Sequence, residues 1–107
     1  MFNSKVKNVS AEEAYKLINE DKEFIILDVR TKEEYDDGHI PGAKLIPVQV
    51  LPMKLGELDE YKDKPVLVYC ASGGRSPRAV DTLVNNEFTN LYHLNRGISS
   101  WRYNVTR

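Results

Sequence analysis

The chain has 107 residues, 15 basic against 16 acidic, and a formal charge of -1, enough for one packed domain over residues 1–107 and without a field that recruits nucleic acid or an acidic membrane. Hydrophobic residues at 41% and charged residues at 29% exclude a disordered chain, and no apolar run approaches the ~20 residues of a membrane span. One cysteine excludes an internal disulfide, two histidines without cysteine or paired-carboxylate spacing leave no recognisable metal site, and the start Met-Phe-Asn-Ser-Lys-Val has no apolar signal core, so a reducing cytoplasm is the expected setting.

Lys5 to Val9 reads as a first strand. Ser10 with Glu13 forms a capping box for a helix whose Ala11, Ala14, Tyr15 and Ile18 share one face. Phe24 to Leu27 is an unbroken apolar run, as expected of a strand buried on both faces, and it ends at Asp28-Val29-Arg30. Thr31 with Glu34 makes a second capping box, and Gly38 supplies a left-handed stop. His39 to Ala43 is a turn, and Lys44 to Ile46 a brief strand closed by Pro47. Gln49 to Tyr61 is expected to hold one short helix with a ragged end, because Pro52 and Gly56 interrupt the face of Leu51, Leu55 and Leu58. Val66 to Tyr69 is a fourth strand, the helix after it buries Ala79, Val80, Leu83 and Val84, Leu91 to Leu94 is a fifth strand, and Gly97 starts a last short helix with Trp101 in the core. Strands alternating with helices give the α/β class, with a central, mostly parallel five-stranded sheet and helices on both faces.

The chemistry concentrates at Cys70-Ala71-Ser72-Gly73-Gly74-Arg75-Ser76-Pro77. Cys70 stands at the carboxyl end of a buried strand, where open α/β sheets bind ligands. Gly73 and Gly74 allow the loop to turn backbone N–H groups inward as an anion-binding nest. Ser76 can cap the next helix, and Pro77 suits its first turn. A thiol beside a helix start and a cation, here Arg75, ionises more readily than a free cysteine. A buried cysteine can also simply fill a core, but followed by Gly-Gly-Arg-Ser-Pro it reads as a nucleophile.

Four pieces, Asp28-Val29-Arg30, Glu34-Tyr35 with Gly38-His39-Ile40-Pro41-Gly42-Ala43, Cys70-Ala71-Ser72-Gly73-Gly74-Arg75-Ser76, and Leu94 to Trp101, together resemble the rhodanese-like sulfurtransferase family in its single-domain form. The resemblance implies transfer of sulfane sulfur from thiosulfate or a related small anionic donor to a small-thiol or protein-thiol acceptor, through a persulfide on Cys70 and without a cofactor. Ala71, Ser72, Gly73, Gly74, Arg75 and Ser76 are then the substrate-binding loop. The alternatives are a non-catalytic or delivery module that accepts sulfur only from a protein partner and, further off, a cysteine-dependent phosphatase. Such phosphatases carry five residues between cysteine and arginine, against four here.

Asp28 and Arg30 are expected at the pocket wall, as structural hydrogen-bonding groups. His39 is expected to hold its turn, and His93 to be a surface or partly packed side chain. Two residues depart from the family pattern: Glu87 stands near where a glycine often precedes Phe88, and Arg96 where glycine commonly precedes Gly97. Arg96 reads either as an ordinary solvated arginine or as a residue of the pocket rim, where its cation would assist an anionic donor.

Overall fold

The computed structural model describes residues 5–107. Strands Val6–Val9 (β1), Ile25–Asp28 (β2), Lys44–Leu45 (β3), Val66–Tyr69 (β4) and Leu91–Leu94 (β5) form one sheet in the order β1-β5-β4-β2-β3. Every neighbouring pair is parallel, a stricter arrangement than the mostly parallel sheet expected. Each parallel connection needs a crossover, supplied by helices Ala11–Glu20 (α1), Lys32–Asp37 (α2) and Ser76–Val84 (α3) and by irregular segments.

β4 lies mid-sheet and all four of its residues are buried, which is why its sequence is continuously apolar. Its alternation divides the core. Val66, Val68 and Cys70 join Leu27, Ala79, Val80 and Leu83 on the α3 side, whereas Leu67 and Tyr69 join Val9, Ala14, Ile26 and Leu94 on the α1 side. At the end of β4 the next side chain therefore emerges toward α3, and that side chain is Cys70.

Both capping boxes form, at Ser10–Glu13 and Thr31–Glu34. Elsewhere the structure corrects the sequence reading. Residues 49–61 hold two 3-10 turns, Leu51–Met53 and Leu55–Tyr61, because Pro52 and Gly56 break the α ladder, while the spacing Leu55, Leu58, Tyr61 matches a three-residue turn. Gly97–Ser100 is likewise a 3-10 turn. Gly38 ends α2 at φ 154° and ψ 129°, not in the left-handed helical region. Trp101 is half-buried, not core: it packs edge-on against Tyr15 of α1 and Tyr103, and its Nε1–H donates to the Asn104 carbonyl at 2.9 Å. The chain end returns to the body through a bridge between His39 and Thr106. No helix among the described residues is long and apolar enough to cross a membrane.

Candidate functional site

Cys70 lies one residue past β4 and is 1% exposed. Its Sγ receives the backbone N–H groups of Gly73 at 3.2 Å and Ser76 at 3.3 Å, and its own S–H donates to the Ser76 hydroxyl oxygen at 3.3 Å. Gly73 makes this possible by adopting φ 97°, while Gly74 stays out of the positive-φ region. Of the two glycines, only Gly73 bends the loop in the way the nest requires. Ser76 does not cap α3 as expected; Arg75 occupies the cap position without a side-chain cap bond. The first N–H groups of a helix have no partner within it, and here that of Ser76 goes to sulfur. Burial pushes the Cys70 thiol up. Hydrogen bonding with the Ser76 side chain and from the backbone N–H groups of Ser76, Arg75 and Gly73 outweighs it, leaving the thiol below its ordinary value.

Behind the sulfur, the Ser76 Oγ lies 2.6 Å from His93 Nε2, and His93 Nδ1 lies 2.8 Å from Asn8 Oδ1. His93 is 3% exposed, which overturns its reading as a surface or partly packed side chain. Strand parity explains the burial. His93 pairs across the sheet with Val68 of β4 and Asn8 of β1, so it projects on the α3 side, the face that Cys70 reaches two residues after Val68. Burial pushes its imidazolium pKa down.

The turn after β5 buttresses the loop. The N–H groups of Ile98 and Ser99 donate to the carbonyls of Cys70 and Ala71 at 3.0 and 2.9 Å. Gly97 takes φ 62°, and a Cβ there would stand 2.7 Å from the Ala71 carbonyl carbon and oxygen, so only glycine fits. Arg96 is left-handed, at φ 80° and ψ 4°. Its backbone nitrogen would lie 3.4 Å from a Cβ on Gly73. With Ser10, Asn95, Arg102 and Tyr103 it lines an open depression of about 600 Å³. Cys70 does not line that depression, so Arg96 flanks the loop through its backbone and faces a neighbouring hollow.

Arg75, expected to face an anionic donor, makes a bidentate pair with Glu34 of α2, at 2.8 and 2.9 Å. The guanidinium holds the Glu34 carboxyl down at about 2, against burial and with help from its capping bonds to Thr31. Asp28 and Arg30 form a buried pair whose shortest contact is 2.7 Å. Asp28 also accepts from the Tyr69 hydroxyl at 2.7 Å, that hydroxyl accepts the Ile40 N–H, and Arg30 reaches the Gly38 carbonyl. This cluster ties β2 and β4 to the Gly38–Ala43 turn on the Tyr69 face, away from the sulfur. His39 stacks on Tyr35 with ring centroids 3.6 Å apart, and its Nδ1 lies 2.8 Å from the Tyr35 carbonyl.

Ala71 and Ser72 complete the loop between Cys70 and Gly73, Ala71 half-buried and Ser72 exposed. Sequence reasoning missed Glu34 as the partner of Arg75, because its capping role already explained it. It also missed His93 and Asn8, whose shared face was readable from strand parity once β1 and β5 were adjacent.

A model of the rhodanese-like domain matches residues 10–104. The thiosulfate sulfurtransferase GlpE of Coxiella burnetii is 34% identical over 101 residues, covering 90% of this chain and 87% of that protein. The tRNA uridine(34) hydroxylase of Erwinia tasmaniensis is 35% identical over 83 residues, but they are 74% of this chain and only 24% of that protein. The crystal structure of a rhodanese-like domain protein from Staphylococcus aureus superposes with a TM-score of 0.80 at 34% identity, covering 89% of this chain and 90% of the other. An all-parallel five-stranded sheet with a cysteine loop at its carboxyl edge, matched along nearly its whole length, makes this chain a member of the rhodanese-like domain family, with a role of the sulfurtransferase kind.

Proposed function

We propose that the protein transfers sulfane sulfur through a persulfide on Cys70, with thiosulfate as a competent donor. The observation that carries this reading is the convergence of the Gly73 and Ser76 N–H groups on one sulfur atom. Such donors stabilise an anion, and they serve the thiolate and the persulfide alike. The thiolate attacks the outer sulfur of thiosulfate; the S–S bond of the donor breaks, sulfite departs with its electron pair, and Cys70 is left as Cys–S–S⁻. A thiophilic acceptor then takes the terminal sulfur and returns the thiolate. No redox partner is needed. The four-residue spacing from Cys70 to Arg75 leaves a short loop suited to a sulfur anion, and phosphatase activity is not expected.

Thiocyanate formation from thiosulfate and cyanide is the test. We expect parallel lines in double-reciprocal plots, as a two-step covalent route requires, and complete loss of turnover in Cys70→Ser. Turnover that survives in Cys70→Ser overturns the reading. A delivery module charged only by a protein donor is the second reading, favoured by the Arg75–Glu34 pair, which neutralises the cation nearest the loop. Persulfide formation with a protein donor and none with thiosulfate selects it.

A further inference from the structure

The polar chain behind Cys70 has a fixed direction. An Asn Oδ1 only accepts hydrogen bonds, so the 2.8 Å contact between Asn8 Oδ1 and His93 Nδ1 places a proton on Nδ1. Burial favours neutral His93, and a neutral ring protonated at Nδ1 has its lone pair at Nε2. Nε2 then accepts the Ser76 hydroxyl at 2.6 Å, and the serine oxygen in turn accepts the Cys70 S–H at 3.3 Å. Cys70 is 1% exposed and His93 3%, so the thiol has little direct contact with water through which to lose its proton.

We propose that His93 is the proton acceptor for Cys70, reached through the Ser76 hydroxyl and oriented by Asn8. The S–H bond breaks as the serine oxygen takes that proton, and the serine's own proton passes to Nε2. The serine now donates to the thiolate and accepts from the imidazolium, with atoms and charge balanced and nothing oxidised or reduced. Ser76 and His93 are thus coupled to the nucleophile, and Asn8 is a positioning residue. The purpose of the relay rests on the persulfide reading, but its existence does not, since proton transfer needs no sulfur donor.

β4 presents apolar Val68 opposite His93, and the nearby buried face of α3 is Ala79 and Val80. Beside the thiol stands Arg75, itself paired with Glu34 and feeling Asp28. On β1, Asn8 is neutral, and the Lys7 ammonium lies over the Tyr92 ring.

Nuclear magnetic resonance on the full chain tests the relay without any sulfur donor. In the native protein, the ¹⁵N shifts of His93 are expected to show Nδ1 protonated throughout and Nε2 as the nitrogen that gains a proton when Cys70 gives up its own. The ¹³Cβ shift of Cys70, the one cysteine in the chain, should titrate together with the His93 ring, because the two sites share the proton. In His93→Gln, whose amide oxygen can still accept from Ser76 but takes no proton, the Cys70 midpoint should rise by about one pH unit, a tenfold smaller thiolate fraction near neutrality. Asn8 is exposed, so Asn8→Ala should fold normally and shift the midpoint the same way by less. A neutral His93 protonated at Nε2, or a Cys70 midpoint unchanged in either variant, overturns the proposal. Loss of thiocyanate formation with these titrations intact leaves the relay standing and removes the sulfur-transfer reading instead.

Discussion

Glu87 and Arg96 take φ 74° and φ 80°, and among the described residues they are the non-glycine positions in the left-handed region. They are also the two residues at or near which the sequence resemblance implies a glycine. The coincidence has a physical cause. The backbone path is kept, and a Cβ in that region costs roughly 1–2 kcal/mol. Restoring glycine relieves this strain but loosens the unfolded chain by about 0.4–1 kcal/mol. We expect Glu87→Gly and Arg96→Gly each to stabilise the protein by about 0.5 kcal/mol, measured by urea unfolding; destabilisation of both contradicts this account. Arg96→Gly also reports on the cation. If the side chain assists anionic donors from the rim, the thiosulfate KM rises at low salt while kcat is kept, and an unchanged KM removes that role. The departures themselves were legible from the sequence. The strain behind them was not, because a dihedral angle belongs to the turn that the whole loop adopts.

At the scale of elements, the short α2 and the start of α3 are joined by Glu34 and Arg75, with side chains 34% and 38% exposed. Glu34→Gln isolates this link, because glutamine preserves the capping box with Thr31. Solvent screening at such exposure holds the pair to about 1 kcal/mol. The carboxyl falls from 4.5 to about 2 in the folded protein, so the stabilisation is fully present above pH 4.5 and is lost as pH falls through about 2. We expect native protein and variant to differ by about 1 kcal/mol at pH 7 and to converge near pH 2; a constant difference across that range contradicts the assignment. Capping boxes were readable because their partners are three residues apart. The Arg75–Glu34 pair spans 41 residues, and only the packing of α2 near the loop reveals it. The 3-10 turns in residues 49–61 escaped because Leu51, Leu55 and Leu58 fit an α face as well as a tighter turn.

At the scale of the molecule, one sheet places every part of the site. β4 carries Cys70 to the carboxyl edge, β5 carries His93 behind it and Gly97 beneath the loop, and β1 carries Asn8 beside His93. The α/β class and the position of the cysteine loop were legible because apolar runs and glycine signals are local. The order β1-β5-β4-β2-β3 was not, since it depends on which strands meet after each crossover. Hence the division of Asp28 and Arg30 to one face and Cys70, Ser76 and His93 to the other appears only in three dimensions. The chain as a whole holds a single thiol where backbone donors, a helix start and a buried histidine meet. Intact mass spectrometry of the reduced protein, incubated with thiosulfate and then freed of it, tests that arrangement most directly. We expect the mass of one sulfur atom to be added, to map to the peptide containing Cys70, to vanish with cyanide, and to be absent in Cys70→Ser. A mass that stays unchanged at every thiosulfate concentration contradicts it.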